Sequence, residues 1–150
     1  MHAESNSIRV LVDADACPRQ AMAVLRRLEP EYGFELMTIS SFNHHSDEPG
    51  HIVVGDDPQA TDIALMNRVR PGDIAVTQDW GLAALVLAKG AGALSPAGQI
   101  YEPGKIDFLL EERHLKAKFR RGGGRTKGPS ARTADDDRRF ENTLRSLLEK

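Results

Sequence analysis

Short apolar runs alternate with amphipathic stretches along this chain. Ile8–Val12 is a compact apolar run that reads as a strand, and it stops at two acids, Asp13 and Asp15. Pro18 suits the first helical position, and Ala21, Val24, Leu25 and Leu28 give the following stretch a 3.6-period apolar face. Pro30 and Gly33 are expected to end that helix, and Phe34–Ile39 to form the second strand. Ser40–Gly50 is polar and loop-like, and His51–Val54 is a short β-type run. A helix is expected from Pro58, with Ile63, Ala64, Leu65, Met66 and Val69 as its apolar residues, until Pro71-Gly72 breaks it. Ile74–Thr77 reads as a strand, Trp80–Lys89 as a helix closed by Gly90, and Gly92–Leu94 as a last short strand. Ile106–Phe119 and Asp135–Leu148 carry helical patterns, the latter with Thr133 or Asp135 as N-cap. Strand and helix alternate, which predicts an α/β fold with a mostly parallel sheet and right-handed crossovers.

The length of 150 residues fits one domain. Its expected parts are a flexible N-terminus (1–7), a basic Gly-rich loop (120–134) and a C-terminal helix (135–150). The single cysteine excludes an intrachain disulfide. Met1–Ser7 has no signal-peptide core, and the longest apolar run, Leu82–Ala88, is far short of the ~20 residues of a membrane span. A cytoplasmic protein without membrane contact is expected.

The net charge of −2 conceals a split. Residues 1–112 hold 8 Lys and Arg against 17 Asp and Glu, whereas residues 113–132 hold 8 basic residues and no acid. An acidic body with a basic segment fits a polyanionic partner and a site that holds cations; it also fits a solvated tail balancing an acidic domain. The basic segment contains Lys116, Lys118, Arg120, Arg121, Arg125, Lys127 and Arg132, spaced by glycines that let backbone N–H groups approach phosphates. Its one aromatic residue, Phe119, gives base stacking little support there.

The candidate chemistry lies in the acids. Asp13 and Asp79 follow apolar runs, and Asp62 falls in the first turns of a helix that follows a strand. In a parallel sheet all three reach the same edge, where ligands of open α/β sheets bind. Asp15, Asp56 and Asp57 stand close by in sequence. Crowded carboxylates stay ionised together when a cation is present, and hard ions such as Mg²⁺ or Mn²⁺ take oxygen ligands of this kind. Each acid alone also fits an ordinary turn or N-cap residue.

Three further candidates are weaker. Cys17, beside the acids, fits packing better than nucleophilic attack, because neighbouring carboxylates oppose a thiolate. His44, His45, Asp47 and His51 match no zinc spacing and read as a surface loop, with His44 near enough to touch substrate. No P-loop lysine motif and no Gly-x-Gly-x-x-Gly is present, so nucleotide-cofactor binding has no support.

Several strings together resemble a known family: Val-Asp-Ala-Asp-Ala-Cys-Pro at 12–18, Ala-Thr-Asp at 60–62, and Val-Thr-Gln-Asp at 76–79 with Leu82-Ala83 and Gly90-Ala91. Leu94-Ser95-Pro96, Gly98, Tyr101, Gly128-Pro129 and Asp137-Arg138-Arg139-Phe140 extend the likeness over nearly the whole chain. They resemble the YaiI/YqxD family, a largely uncharacterised bacterial family grouped with PIN-like domains. The resemblance implies a three-layer fold, with a parallel sheet flanked by helices, and metal-dependent cleavage of RNA. It implies Asp13, Asp62 and Asp79 as catalytic metal ligands for Mg²⁺ or Mn²⁺, with Asp15 accessory. Lys118, Arg120, Arg121, Arg125, Lys127 and Arg132 are then the expected nucleic-acid contacts. One departure stands out: the family commonly has an acid three residues before Asp62, and here that residue is Gln59.

Two other readings stay open. Asp13-x-Asp15 after a first strand also resembles haloacid-dehalogenase-type phosphatases, with Asp13 as nucleophile and Gly55-Asp56-Asp57 as the later metal motif, although Cys17 stands where a Thr is usual. A nucleic-acid-binding protein without catalysis is the third reading, and Gln59 is the residue that suggests it.

Overall fold

The computed structural model describes residues 8–41, 50–55, 59–123 and 131–150; within these, no side chain is described for 106–113 and 120. Five strands form one all-parallel sheet: β1 (Arg9–Asp13), β2 (Glu35–Ser41), β3 (His51–Val54), β4 (Ile74–Val76) and β5 (Gly92–Leu94). Their spatial order is β3-β2-β1-β4-β5. The helices are α1 (Arg19–Tyr32), α2 (Ala60–Arg68), α3 (Trp80–Ala88), α4 (Pro103–Arg121) and α5 (Ala134–Leu148).

The strands are buried on both faces, so they are continuous apolar runs rather than alternating ones. Val10 and Val12 point into one layer with Leu25 and Leu28 of α1 and with Phe140 and Leu144 of α5. Leu11, Ile39 and Ala75 point into the other, with Leu65 of α2 and Leu82, Ala83 and Val86 of α3. α4 packs on α3. The result is the three-layer arrangement expected of a PIN-like fold. No helix among the described residues is long and apolar enough to cross a membrane.

Several boundaries differ from the sequence reading. Pro18 is the N-cap of α1 rather than its first helical residue, with φ −60° and ψ 150°. Its carbonyl accepts from Met22 N, so it starts the helix from one position earlier. Pro30 does not end α1, which runs on to Tyr32 and closes at Gly33, where φ is +73°. A proline removes one backbone donor. Here α5 holds the last turn, through ion pairs and hydrogen bonds from Arg145 to Glu31 and Tyr32. β1 includes Asp13, and β2 extends through Ser40 and Ser41 because both pair with β3. α2 begins at Ala60 with Gln59 as N-cap, and Pro58 lies outside the described residues. α4 begins at Pro103, earlier than its apolar pattern. Thr133 is the N-cap of α5 and forms a capping box with Asp136.

An ion pair fixes the amino-terminal edge of the sheet. Arg9 donates to both carboxylate oxygens of Asp73, at 3.2 and 2.7 Å, and to the carbonyl of Arg68. Asp73 also accepts from Arg70 N at 2.8 Å. This bidentate pair ties β1 to the turn before β4, at the end opposite the acids.

α5 docks through close backbone approach. Gly98 has φ +92°, and a Cβ there would lie 2.6 Å from the Arg139 carbonyl carbon and 2.7 Å from Phe140 N. Gly33 has φ +73° but open space around it. Gly33→Ala is therefore expected to cost about 1–2 kcal/mol, the left-handed backbone penalty alone. Gly98→Ala is expected to cost clearly more, because α5 must also shift. Urea unfolding of the two variants measures the difference; equal losses would show that α5 does not depend on this contact.

Candidate metal centre

The strand order reverses between β1 and β4. From β1 the sheet grows through β2 and β3 on one side, and the chain then returns to add β4 and β5 on the other. The carboxyl ends of β1 and β4 therefore border a crevice, the usual ligand position of such sheets. Asp13 ends β1 there and is 8% exposed. Asp79 follows β4 and Asp62 lies in the first turn of α2. With Asp15, Ala16, Thr61 and Gln78 they line one cleft of about 340 Å³. The meeting of Asp13, Asp62 and Asp79 at one sheet edge, read from the sequence, is thus present, and Asp15 joins them.

Each acid is held differently. Asp13 accepts a long hydrogen bond from the buried hydroxyl of Thr77, at 3.4 Å. Asp15 accepts from Ser41 N at 3.1 Å to both oxygens, from Ser41 Oγ at 3.3 Å and from Thr61 Oγ1 at 2.8 Å. It ties the end of β2 to the start of α2, and so holds the cleft's floor together. Asp79 is the N-cap of α3, accepting from Leu82 N at 3.1 Å. Its own N–H donates to Thr77 Oγ1 at 3.0 Å.

The charges are mutually unfavourable. Burial, then the negative charges of Asp62 and Asp15, push the Asp13 carboxyl up to about 6; the Thr77 hydroxyl opposes this and Asp79 adds to it. Asp62 is also raised, first by burial, then by the charge of Asp79 and a hydrogen bond shared with it.

The donor set fits a hard divalent cation. It is all oxygen and strongly negative, and among the described residues no Lys or Arg lines the cleft. Among the described residues, no three His, Cys, Asp or Glu side chains stand together in a ready-made metal group. The acids face a common space.

The remaining candidates fall elsewhere. Burial pushes the Cys17 thiol up to about 12, against the opposing charge of Arg132, so Cys17 serves packing as expected. His51 is built into the sheet: its Nδ1 lies 2.6 Å from Thr38 Oγ1 and its Nε2 2.8 Å from Ser40 Oγ. His44, His45, Asp47, Asp56 and Asp57 lie outside the described residues, as do Arg125, Lys127 and the side chain of Arg120. Lys116, Lys118 and Arg121 are exposed on α4. Arg132 is not a free surface cation. Its side chain is 17% exposed and bound to Asp137 and to the Pro96 carbonyl. Gln59, the departure from the family pattern, does not line the cleft. Thr61, Thr77 and Gln78 were not given a role by the sequence; their signal was their place in the Ala-Thr-Asp and Val-Thr-Gln-Asp strings that carry Asp62 and Asp79.

The family profile described as "Uncharacterized BCR, YaiI/YqxD family" matches residues 11–150. The chain belongs to the YaiI/YqxD family. A UPF0178 protein of Heliobacterium modesticaldum is 52% identical over 141 residues, covering 94% of this chain and 97% of that protein. UPF0178 proteins of Clostridium tetani and Exiguobacterium sibiricum are each 41% identical, covering 95% and 94% of this chain and 98% and 96% of their own lengths. No solved structure matches this YaiI/YqxD chain.

The Asp13 shift has a sign that can be tested. Its carboxyl holds a proton more tightly folded than unfolded, so its stabilising contribution is complete below its unfolded pKa. That contribution is lost as pH rises through about 6. Leaving Asp13 ionised in the metal-free cleft costs roughly 3 kcal/mol. Thermal unfolding in chelator is expected to show stability falling between about pH 4 and pH 7. Asp13→Asn is expected to flatten that fall and to be the more stable chain at the upper end. An unchanged slope with no gain would contradict the crowding.

Proposed function

We propose that this YaiI/YqxD chain is a divalent-metal-dependent nuclease that hydrolyses phosphodiester bonds, with RNA the expected substrate. The observation that carries the reading is the meeting of Asp13, Asp62 and Asp79, from three separate elements, in one cleft at the strand-order reversal. Mg²⁺ or Mn²⁺ bound there supplies a water of lowered pKa and positive charge beside the phosphate.

The chain's own residues do the rest. Asp13, Asp62 and Asp79 would hold the cation, and Asp15 keeps β2 and α2 in place around them. Thr77 orients Asp13 and the backbone of Asp79 from one hydroxyl. Lys116, Lys118 and Arg121 on α4 offer charge for a phosphate backbone, which positions a strand without reading its sequence. Among the described residues no side chain stands out as general base.

The phosphatase alternative needs Asp15 as a proton donor. Asp15 instead accepts from a backbone N–H and two hydroxyls, which occupy it in holding β2 to α2. That observation favours the nuclease reading.

Incubation of pure protein with single-stranded RNA and Mn²⁺ tests it. Hydrolysis is expected, abolished by chelator and lowered by a factor on the order of 100 or more in Asp13→Asn and Asp79→Asn. Hydrolysis that survives Asp13→Asn would overturn the assignment. Salt-sensitive RNA binding with no hydrolysis under any metal would select the non-catalytic reading.

A further inference from the structure

The acid cleft has a neighbour. A second cavity, of about 360 Å³, opens beside it, and Gln78 lines both. Gln78 is anchored between them, its Nε2 donating to the Ala16 carbonyl at 2.8 Å. A volume above ~300 Å³ is enough for a small ligand.

Two of its wall residues are fixed. Arg132 donates from Nε to Asp137 Oδ1 and from Nη1 to the Pro96 carbonyl, both at 2.7 Å. Its third nitrogen, Nη2, is buried with no hydrogen-bond partner among the described residues. A buried donor without an acceptor costs about 1–3 kcal/mol, a cost that a ligand relieves only when the wall shifts enough to expose Nη2. Trp80, half-buried, is the second. It packs against the core layer that holds Tyr101, whose hydroxyl donates to the Thr77 carbonyl at 3.1 Å. The indole is thus held in the wall by its packing on that layer. Asp136 also lines the cavity, but its carboxylate is engaged by Thr133 N and Arg139.

An immobilised guanidinium and an immobilised indole in one small cavity suit a ligand that is both anionic and aromatic. Base–aromatic stacking tolerates any base, and arginine pairs well with phosphate. We propose that this cavity holds the nucleotide next to the cleaved bond, splayed out of the strand with its base against Trp80 and its phosphate toward Arg132. The proposal rests on the nuclease reading for the course of the rest of the strand. An unpaired base leaves its strand in this way at the least cost, so the preferred substrate is a single strand or a loop.

Trp80 is the only tryptophan of the chain, so its fluorescence reports on this cavity alone. The probe is adenosine 5′-monophosphate, titrated without metal, with inorganic phosphate as control. Saturable quenching by the nucleotide is expected, and quenching by phosphate alone is expected to be far weaker. Arg132→Gln is expected to weaken binding about tenfold. Because Arg132 also anchors the chain before α5, a second variant avoids any folding defect. Ala97 is exposed at the cavity wall, and Ala97→Glu places a negative charge there. It is expected to weaken the nucleotide about tenfold with an unchanged melting temperature. Single-stranded RNA is expected to quench and a fully paired duplex not to. No saturable quenching, quenching indifferent to Ala97→Glu, or equal quenching by phosphate or duplex overturns the proposal. Asp13→Asn separates the two readings: it removes hydrolysis and leaves quenching intact. Quenching lost while hydrolysis persists overturns the cavity's role alone.

Discussion

Like charges held close together, and partly out of water, dominate this structure. Asp13 stands nearly buried at the end of β1 with Asp62, Asp15 and Asp79 near enough to raise its proton affinity. Such a cluster opposes folding, and the fold carries it only because other contacts hold the cleft's walls in place. Asp15 joins β2 to α2, Thr77 joins Asp13 to the backbone of Asp79, and Asp79 caps α3. Sites built for chemistry commonly store this kind of unfavourable electrostatics.

The stabilising contacts lie away from the acids. At the opposite sheet edge the Arg9–Asp73 pair locks β1 to the turn before β4. On one face α5 seals the core with Phe140, Leu144 and Leu148, and its side chains pair with α1 through Arg27–Glu141 and Arg145–Glu31. The same helix bears on the turn at Gly98, through close backbone approach and a Thr143 hydroxyl bond to the Gly98 carbonyl at 2.7 Å. That turn belongs to the wall that holds Arg132. The C-terminal helix therefore supports both the core and the cavity beside the acids.

Much of the fold was legible because a parallel sheet writes itself as short, unbroken apolar runs. The acids were legible for the same reason, since a polar residue that ends such a run falls at the ligand edge. Strand ends were less legible. Asp13, Ser40 and Ser41 are polar and look like loop, yet backbone pairing with a neighbouring strand keeps them in the sheet. Pro30 reads as a stop because local chemistry says so, and contacts from α5, more than a hundred residues away, override it. Arg132 shows the limit most plainly. In sequence it is one more charge in a basic run; its partners, Asp137 and the Pro96 carbonyl, meet it only after folding. Gln78 and Trp80 flank Asp79 in the chain, but only the structure shows a cavity on their far side.

The central claim is that the gathered carboxylates are a cation site. Titration of the pure, metal-free chain with Mn²⁺, followed by the electron paramagnetic resonance of the free ion, tests it most directly. A cation site there gives saturable uptake at neutral pH that is lost in Asp13→Asn and in Asp79→Asn, while each variant keeps its fold. Uptake that is absent, or that both variants retain in full, would contradict it.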